Sequence, residues 1–168
     1  MVNDFQVFNE ALILMLSDPK IKNMKNFSQH VNSNTLQHSI HVAKISFMLA
    51  EKFRWNISEK ELVRGAILHD YYQYDINESI HKKNRKHHRK APYFFVKYTS
   101  DFQHGVNHPL VALQNALTDY DLTDKEINII KSHMWPLTPF WIPGSKEAIL
   151  VTLADKYCAM KERRVSFE

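Results

Sequence analysis

The sequence contains little glycine, a single cysteine and no long apolar run. Glycine occurs 3 times in 168 residues, where average usage of about 7% would give about 12. Because few glycines leave few tight turns, this scarcity disfavours a β-rich fold with many hairpins. The longest apolar run, near Ala11–Leu16, is too short to span a membrane. Cys158 cannot form an internal disulfide, and the first residues lack the features of a secretory signal, so we expect a cytoplasmic protein.

The net charge of +4 comes from one segment. Between Ile80 and Ser100 there are seven Lys or Arg residues and no acidic residue, which leaves 15 basic and 18 acidic residues elsewhere. Tyr and Phe follow the basic run, and this pattern is typical of surfaces that bind a nucleotide or a single nucleic-acid strand. The alternative interpretation is a solvated loop whose aromatic residues pack on the core. The excursion covers about 75–105, which is long for a connection and favours a functional role such as a lid.

Apolar residues recur at helical spacing through most of the chain. We therefore predict about six helices and an all-α fold, with a single domain over 1–168 and its core over about 33–162. Two capping-box patterns, an X-Pro start and polar stretches mark the boundaries. The predicted boundaries are an end near Asp18–Pro19 and starts after Asn34 and at Ser58, His108, Thr123 and Ser145.

Histidine occurs 10 times, and several of these residues lie on or at the ends of apolar helices. Taken alone, the pair His69–Asp70 is more simply a core histidine followed by the first loop residue. Further His and Asp residues on or at the ends of apolar helices change that interpretation, because such groups are costly to bury without a partner. Inward-facing imidazoles and carboxylates from several helices are how helical bundles build two-metal sites. The candidates are His38, His69, Asp70, His108, His133 and Asp155.

The motifs around these residues resemble those of the HD-domain metal-dependent phosphohydrolase superfamily over about 33–162. Gly65–Asp70 is similar to the namesake His-Asp motif, and Thr35–Ala43 resembles the helix that carries the first histidine. Leu153–Lys156 is similar to the closing aspartate motif. His108–Leu110 and Ser132–His133 resemble the additional histidines of members with two metals.

The resemblance implies an HD-domain helical bundle with a metal site between its helices. It implies one or two divalent ions, for which Fe, Mn, Co, Ni and Zn all suit mixed imidazole and carboxylate ligands. It also implies hydrolysis of a phosphate ester or anhydride, with a nucleotide favoured, through a metal-bound hydroxide that Asp70 orients. One ion would be held by His38, His69, Asp70 and Asp155, and the other by the bridging Asp70 with His108 and His133.

One departure affects substrate binding. Many members carry lysine three residues after the namesake aspartate, whereas this chain has Gln73, which can donate a hydrogen bond to phosphate but supplies no charge. The candidates for substrate binding are His104, Gln73, Lys82, Lys83, Arg85, Lys86 and Lys156.

Two other functions remain open from the sequence. The same ligands are compatible with a di-iron redox centre, since some relatives of this fold oxidise their substrates. The basic strip 82–97 is compatible with a nucleic-acid-binding module whose metals are structural, although a small phosphorylated partner is favoured over nucleic acid. No membrane partner is expected, and the pattern makes no prediction of oligomeric state.

Overall fold

The computed structural model describes residues 2–30, 33–71 and 107–164, and these residues form helices with one short hairpin. The predicted all-α class is confirmed, and no helix in the described ranges is both long and apolar enough to cross a membrane. The basic excursion, 75–105, lies outside the described residues. The elements are α1 (Val2–Ser17), α2 (Pro19–Asn23), a 3-10 turn (Met24–Asn26), β1 (Ser28–His30), β2 (Ser33–Asn34), α3 (Thr35–Phe53), α4 (Glu59–Leu68), α5 (107–119), α6 (Asp124–Ser132) and α7 (Lys146–Arg164).

Most helices begin where their polar residues predict. Asn34 and Thr123 form capping boxes at the starts of α3 and α6. The capping box predicted at Ser58 is wrong, because this side chain makes no cap hydrogen bond to α4, although the helix begins there. The Ser58 N–H instead donates to Oε1 of Glu147 at 2.8 Å. The predicted start of α5 at His108 is late by at least one residue, since 107 is already helical.

Helix α4 occupies the centre of the packing. It contacts α1, α3, α6 and α7, and its apolar residues Leu62, Val63, Ala66 and Ile67 have no exposed surface. Gly65 permits the close approach of α6, because a Cβ at this position would lie 2.6 Å from Cδ1 of Ile129. The carboxyl end of α4 therefore lies in the interior of the bundle.

The backbone that follows α4 is fixed by α5. Asn115 donates its side-chain N–H to the backbone oxygen of Tyr71 at 3.1 Å. The buried Tyr71 in turn donates its hydroxyl to Oδ2 of Asp119 at 2.8 Å. These two bonds hold the residue directly after Asp70, so the direction in which the chain leaves α4 is determined by contacts to another helix.

Candidate metal centre

The six predicted ligands are brought together in the interior. They come from five helices or helix ends, and none of them exposes more than 8% of its surface. Burying this many imidazole and carboxylate groups in one place requires that they satisfy one another or share a cation. The six are His38 on α3, His69 and Asp70 after α4, His108 on α5, His133 after α6 and Asp155 on α7.

Two histidines face two carboxylates on one side of the centre. Nε2 of His38 lies 3.1 Å from Oδ1 of Asp155 and 3.9 Å from Oδ2 of Asp70. Nε2 of His69 lies 3.2 Å from the same Asp70 oxygen and 3.8 Å from the same Asp155 oxygen. Four donor atoms thus converge from α3, the end of α4 and α7.

A second pair of histidines lies on the other side of Asp70. Nε2 of His108 and Nε2 of His133 are 2.9 Å apart. Oδ1 of Asp70 lies 3.4 Å from the first of these nitrogens and 3.6 Å from the second. The two oxygens of Asp70 therefore face different histidine pairs, and this is the arrangement that a bridging carboxylate requires.

Backbone carbonyls orient two of the rings. Nδ1 of His69 donates to the oxygen of Ala66, and Nδ1 of His133 donates to the oxygen of Ile130, both at 2.7 Å. A carbonyl can only accept, so both Nδ1 atoms carry hydrogen. In the neutral ring, the lone pair of Nε2 then faces the centre, and this is the nitrogen that a metal ion would take.

The protonation of the rings differs across the centre. Burial alone would lower the pKa of His38, but hydrogen bonds to Asp155 and Glu162 outweigh it and raise the pKa to about 9. Burial likewise opposes the charged form of His69, yet the negative charge of Asp70 raises its pKa well above the usual value. Burial lowers the pKa of His133 to about 3, and the nearby His69 acts in the same direction.

Both aspartates are ionised in this environment. Burial would raise the pKa of Asp70, but the charge of His69 holds that pKa well below its ordinary value. For Asp155, the hydrogen bond from His38 and the charge of the nearby His69 likewise outweigh burial and lower the pKa. The side of the centre that contains both carboxylates is thus a place where positive charge is stabilised.

The residues present fit a divalent metal ion. Nε2 of His69 is buried and forms no hydrogen bond with any described residue, although two carboxylate oxygens lie within 3.8 Å. In each of two groups of three residues, the three donor atoms lie within 4.8 Å of one another. Donor sets that mix imidazole with carboxylate suit Fe, Mn, Co, Ni or Zn. The groups are His38, His69 and Asp155, and His69, Asp70 and His133.

Only one of the predicted substrate-binding residues lies in the described part of the chain. The ammonium of Lys156 donates to the backbone oxygen of His133 at 2.9 Å, and burial lowers its pKa. A role in substrate binding stays a prediction for Lys156 and for the six others. Those six, Gln73, Lys82, Lys83, Arg85, Lys86 and His104, lie outside the described residues.

Glu162 belongs to the centre and is not among the residues predicted from sequence. Its two carboxylate oxygens each lie 3.2 Å from Nδ1 of His38. A pattern in the sequence could have found it, because Glu162 follows Asp155 by seven residues. Residues at this spacing lie on the same face of a helix two turns apart.

The fold and the donor set define a helical domain with a buried histidine and carboxylate centre suited to divalent metal. A family comparison agrees, since the model of the HD domain matches residues 35–160, about three quarters of the chain. The chain belongs to the HD-domain family, within the superfamily of metal-dependent phosphohydrolases. Among curated proteins and among solved structures, the comparisons found no match. The matched range contains all six candidate ligands and ends before Glu162.

Proposed function

We propose that this protein is a metal-dependent phosphohydrolase that acts on a phosphate ester or anhydride, with a nucleotide as the favoured substrate. The observation that carries the proposal is the position of Asp70, whose two oxygens face two different pairs of histidines. The preference for a nucleotide comes from the family and not from a residue of this chain.

The proposed ligands divide at Asp70. His38, His69, Asp155 and Oδ2 of Asp70 would hold one ion, and His108, His133 and Oδ1 of Asp70 would hold a second. When bound, divalent ions supply the Lewis acidity that activates water and offsets the charge of a phosphoryl group.

The protein's own contribution is orientation and exclusion of water. The bonds to Ala66 and Ile130 keep two imidazoles in one orientation, so little rearrangement is needed when a cation arrives. The ionised Asp70, enclosed by four histidines, keeps its two oxygens directed to opposite sides. Burial of all six side chains strengthens every charge interaction among them.

Metal content and hydrolysis, measured together, test this function. The purified protein is loaded with each candidate metal and assayed with a panel of phosphomonoesters, phosphodiesters and nucleotides. We expect Asp70→Ala to lose both metal and activity. Asp121→Ala, which removes an exposed aspartate, serves as the matched control and should keep both. A wild-type protein that takes up no metal and hydrolyses nothing on the panel would overturn the proposal.

The same preparations separate the alternative functions. Bound iron with a redox-active spectrum after anaerobic purification, and no hydrolysis, would favour the di-iron redox enzyme. Salt-dependent binding to random RNA or DNA without hydrolysis would favour a nucleic-acid-binding module. That second alternative rests on the strip 82–97, which lies outside the described residues.

A further inference from the structure

Glu162 joins the metal centre to the hairpin that precedes α3. Its side chain is 12% exposed, and both of its oxygens lie 3.2 Å from Nδ1 of His38. Oε2 also accepts the hydroxyl of Ser33 at 2.6 Å. The carboxylate is thus held from two sides, by a residue of β2 and by a candidate metal ligand.

The contact determines which nitrogen of His38 faces the centre. A carboxylate only accepts hydrogen bonds, so Nδ1 of His38 donates to Glu162. Nε2 is then left facing Asp155, 3.1 Å away. In His69 and His133 the corresponding acceptor is a neutral backbone carbonyl. A charged acceptor makes the stronger hydrogen bond and increases the basicity of the ring as a ligand.

We propose that Glu162 is a positioning residue of the metal centre, which holds His38 in the orientation that binds a cation and strengthens the affinity of its side of the site. The inference rests on the proposed function, because it presumes that His38 is a metal ligand. The competing interpretation is a purely structural one, in which Glu162 only ties α7 to the hairpin through Ser33. The two interpretations differ in what they predict for metal affinity in the folded protein.

Titration of the metal-free full chain with Co²⁺ tests the proposal. Visible absorption reports the ligand field, and calorimetry reports the affinity. We expect Glu162→Ala to weaken the tightest Co²⁺ site by about 10- to 100-fold, the usual effect of losing such a partner. Glu162→Gln keeps an oxygen that can accept from Nδ1 of His38, so it should lose less affinity and retain the absorption bands. Glu51→Gln, which removes an exposed charge from the same helix as His38, should bind as wild type does.

The outcomes distinguish this inference from the function on which it rests. If Glu162→Ala lowers only the melting temperature of the metal-free protein and binds Co²⁺ as tightly as wild type, Glu162 is structural and the inference is wrong. If Glu162→Ala does not fold, Glu162→Gln decides by the same affinity comparison, since wild-type affinity there would reject a role for the charge. A wild-type protein that binds no Co²⁺ would reject the metal centre itself.

Discussion

Two helix ends in this protein have nearly the same local structure. Helices α4 and α6 each end at a buried histidine, with φ and ψ of −60° and −32° at His69 and −58° and −25° at His133. Each ring donates Nδ1–H to the carbonyl three residues earlier at 2.7 Å. The end of a helix therefore provides a way to aim a ring nitrogen into the core, and the fold uses it twice.

The electrostatic surroundings of the two rings are opposite. Burial opposes charge on both, but the pKa of His69 is well above the usual value because Asp70 lies beside it. The pKa of His133 falls to about 3 because its burial is reinforced by neighbouring histidines. His108 is 2.9 Å away, whereas the nearer oxygen of Asp70 is at 3.6 Å. Local structure orients the ring, and neighbours from other helices determine whether it carries charge.

The largest expected effect is the loss of bound metal when either imidazole ring is removed, and it distinguishes the two sides of the centre. His69 belongs to the side with Asp155, and His133 belongs to the side with His108. We expect His69→Ala to lose the ion on the Asp155 side and His133→Ala to lose the ion on the His108 side, so that each variant keeps one ion where the wild-type protein holds two. Metal content per chain by elemental analysis after loading and desalting measures this difference.

The melting temperature of each metal-free variant controls for loss of fold in this comparison. A variant that melts as wild type does, yet differs in metal content, reports on ligation alone. Loss of both ions from both folded variants would contradict the division of the centre at Asp70.

The helices and the positions of the two histidines at their ends could be predicted from the sequence. Apolar periodicity and polar boundary residues place α3, α4, α6 and α7, because these features act within one or two turns. The same features place the six candidate ligands on the faces or at the ends of helices. The grouping of the six as ligands came from the order of the motifs, and the structure brings them together.

The contacts between distant residues could not be predicted in this way. Ser58 has a capping-box pattern, but its N–H is taken by Glu147, 89 residues further along. Glu162 reaches His38 over 124 residues. The spacing from Asp155 can place Glu162 on the same face of α7, but both pairings depend on how α7 packs against α3 and α4. The same holds for the opposite pKa shifts of His69 and His133, which arise from side chains of other helices.

Enlarging Gly65 should disturb the contact between the two histidine-bearing helices. A Cβ there would lie 2.6 Å from Cδ1 and 2.8 Å from Cγ2 of Ile129 on α6. Alanine gains up to about 1 kcal/mol in helix propensity, but overpacking typically costs about 1–3 kcal/mol. We therefore expect Gly65→Ala to destabilise the metal-free protein and to weaken metal binding, because it pushes the end of α4 away from the end of α6. Urea unfolding and Co²⁺ titration measure the two effects.

The double variant with Ile129→Ala tests the cause of this loss. Removing the crowded methyl groups should make the combined effect smaller than the sum of the single effects, by about 0.5–3 kcal/mol as expected for residues in contact. Strict additivity, or a Gly65→Ala protein more stable than wild type, would show that the two helices do not meet at Gly65 as described.

The smallest expected effect concerns the opposite ends of the same two helices. At the start of α6, Oγ1 of Thr123 accepts the N–H of Glu126 at 3.2 Å, and Thr123→Ala should cost about 1 kcal/mol, as the loss of a cap does. At the start of α4, the Ser58 side chain makes no such bond, so Ser58→Ala should stay within about 0.5 kcal/mol of wild type. Urea unfolding of the two metal-free variants side by side measures the difference, with Thr123→Ser as the control that keeps a hydroxyl.

Equal losses of stability in the two variants would mean that the two helix starts are equivalent. A larger loss at Thr123 would mean that the first turn of α6 needs its side-chain cap, whereas α4 begins without one.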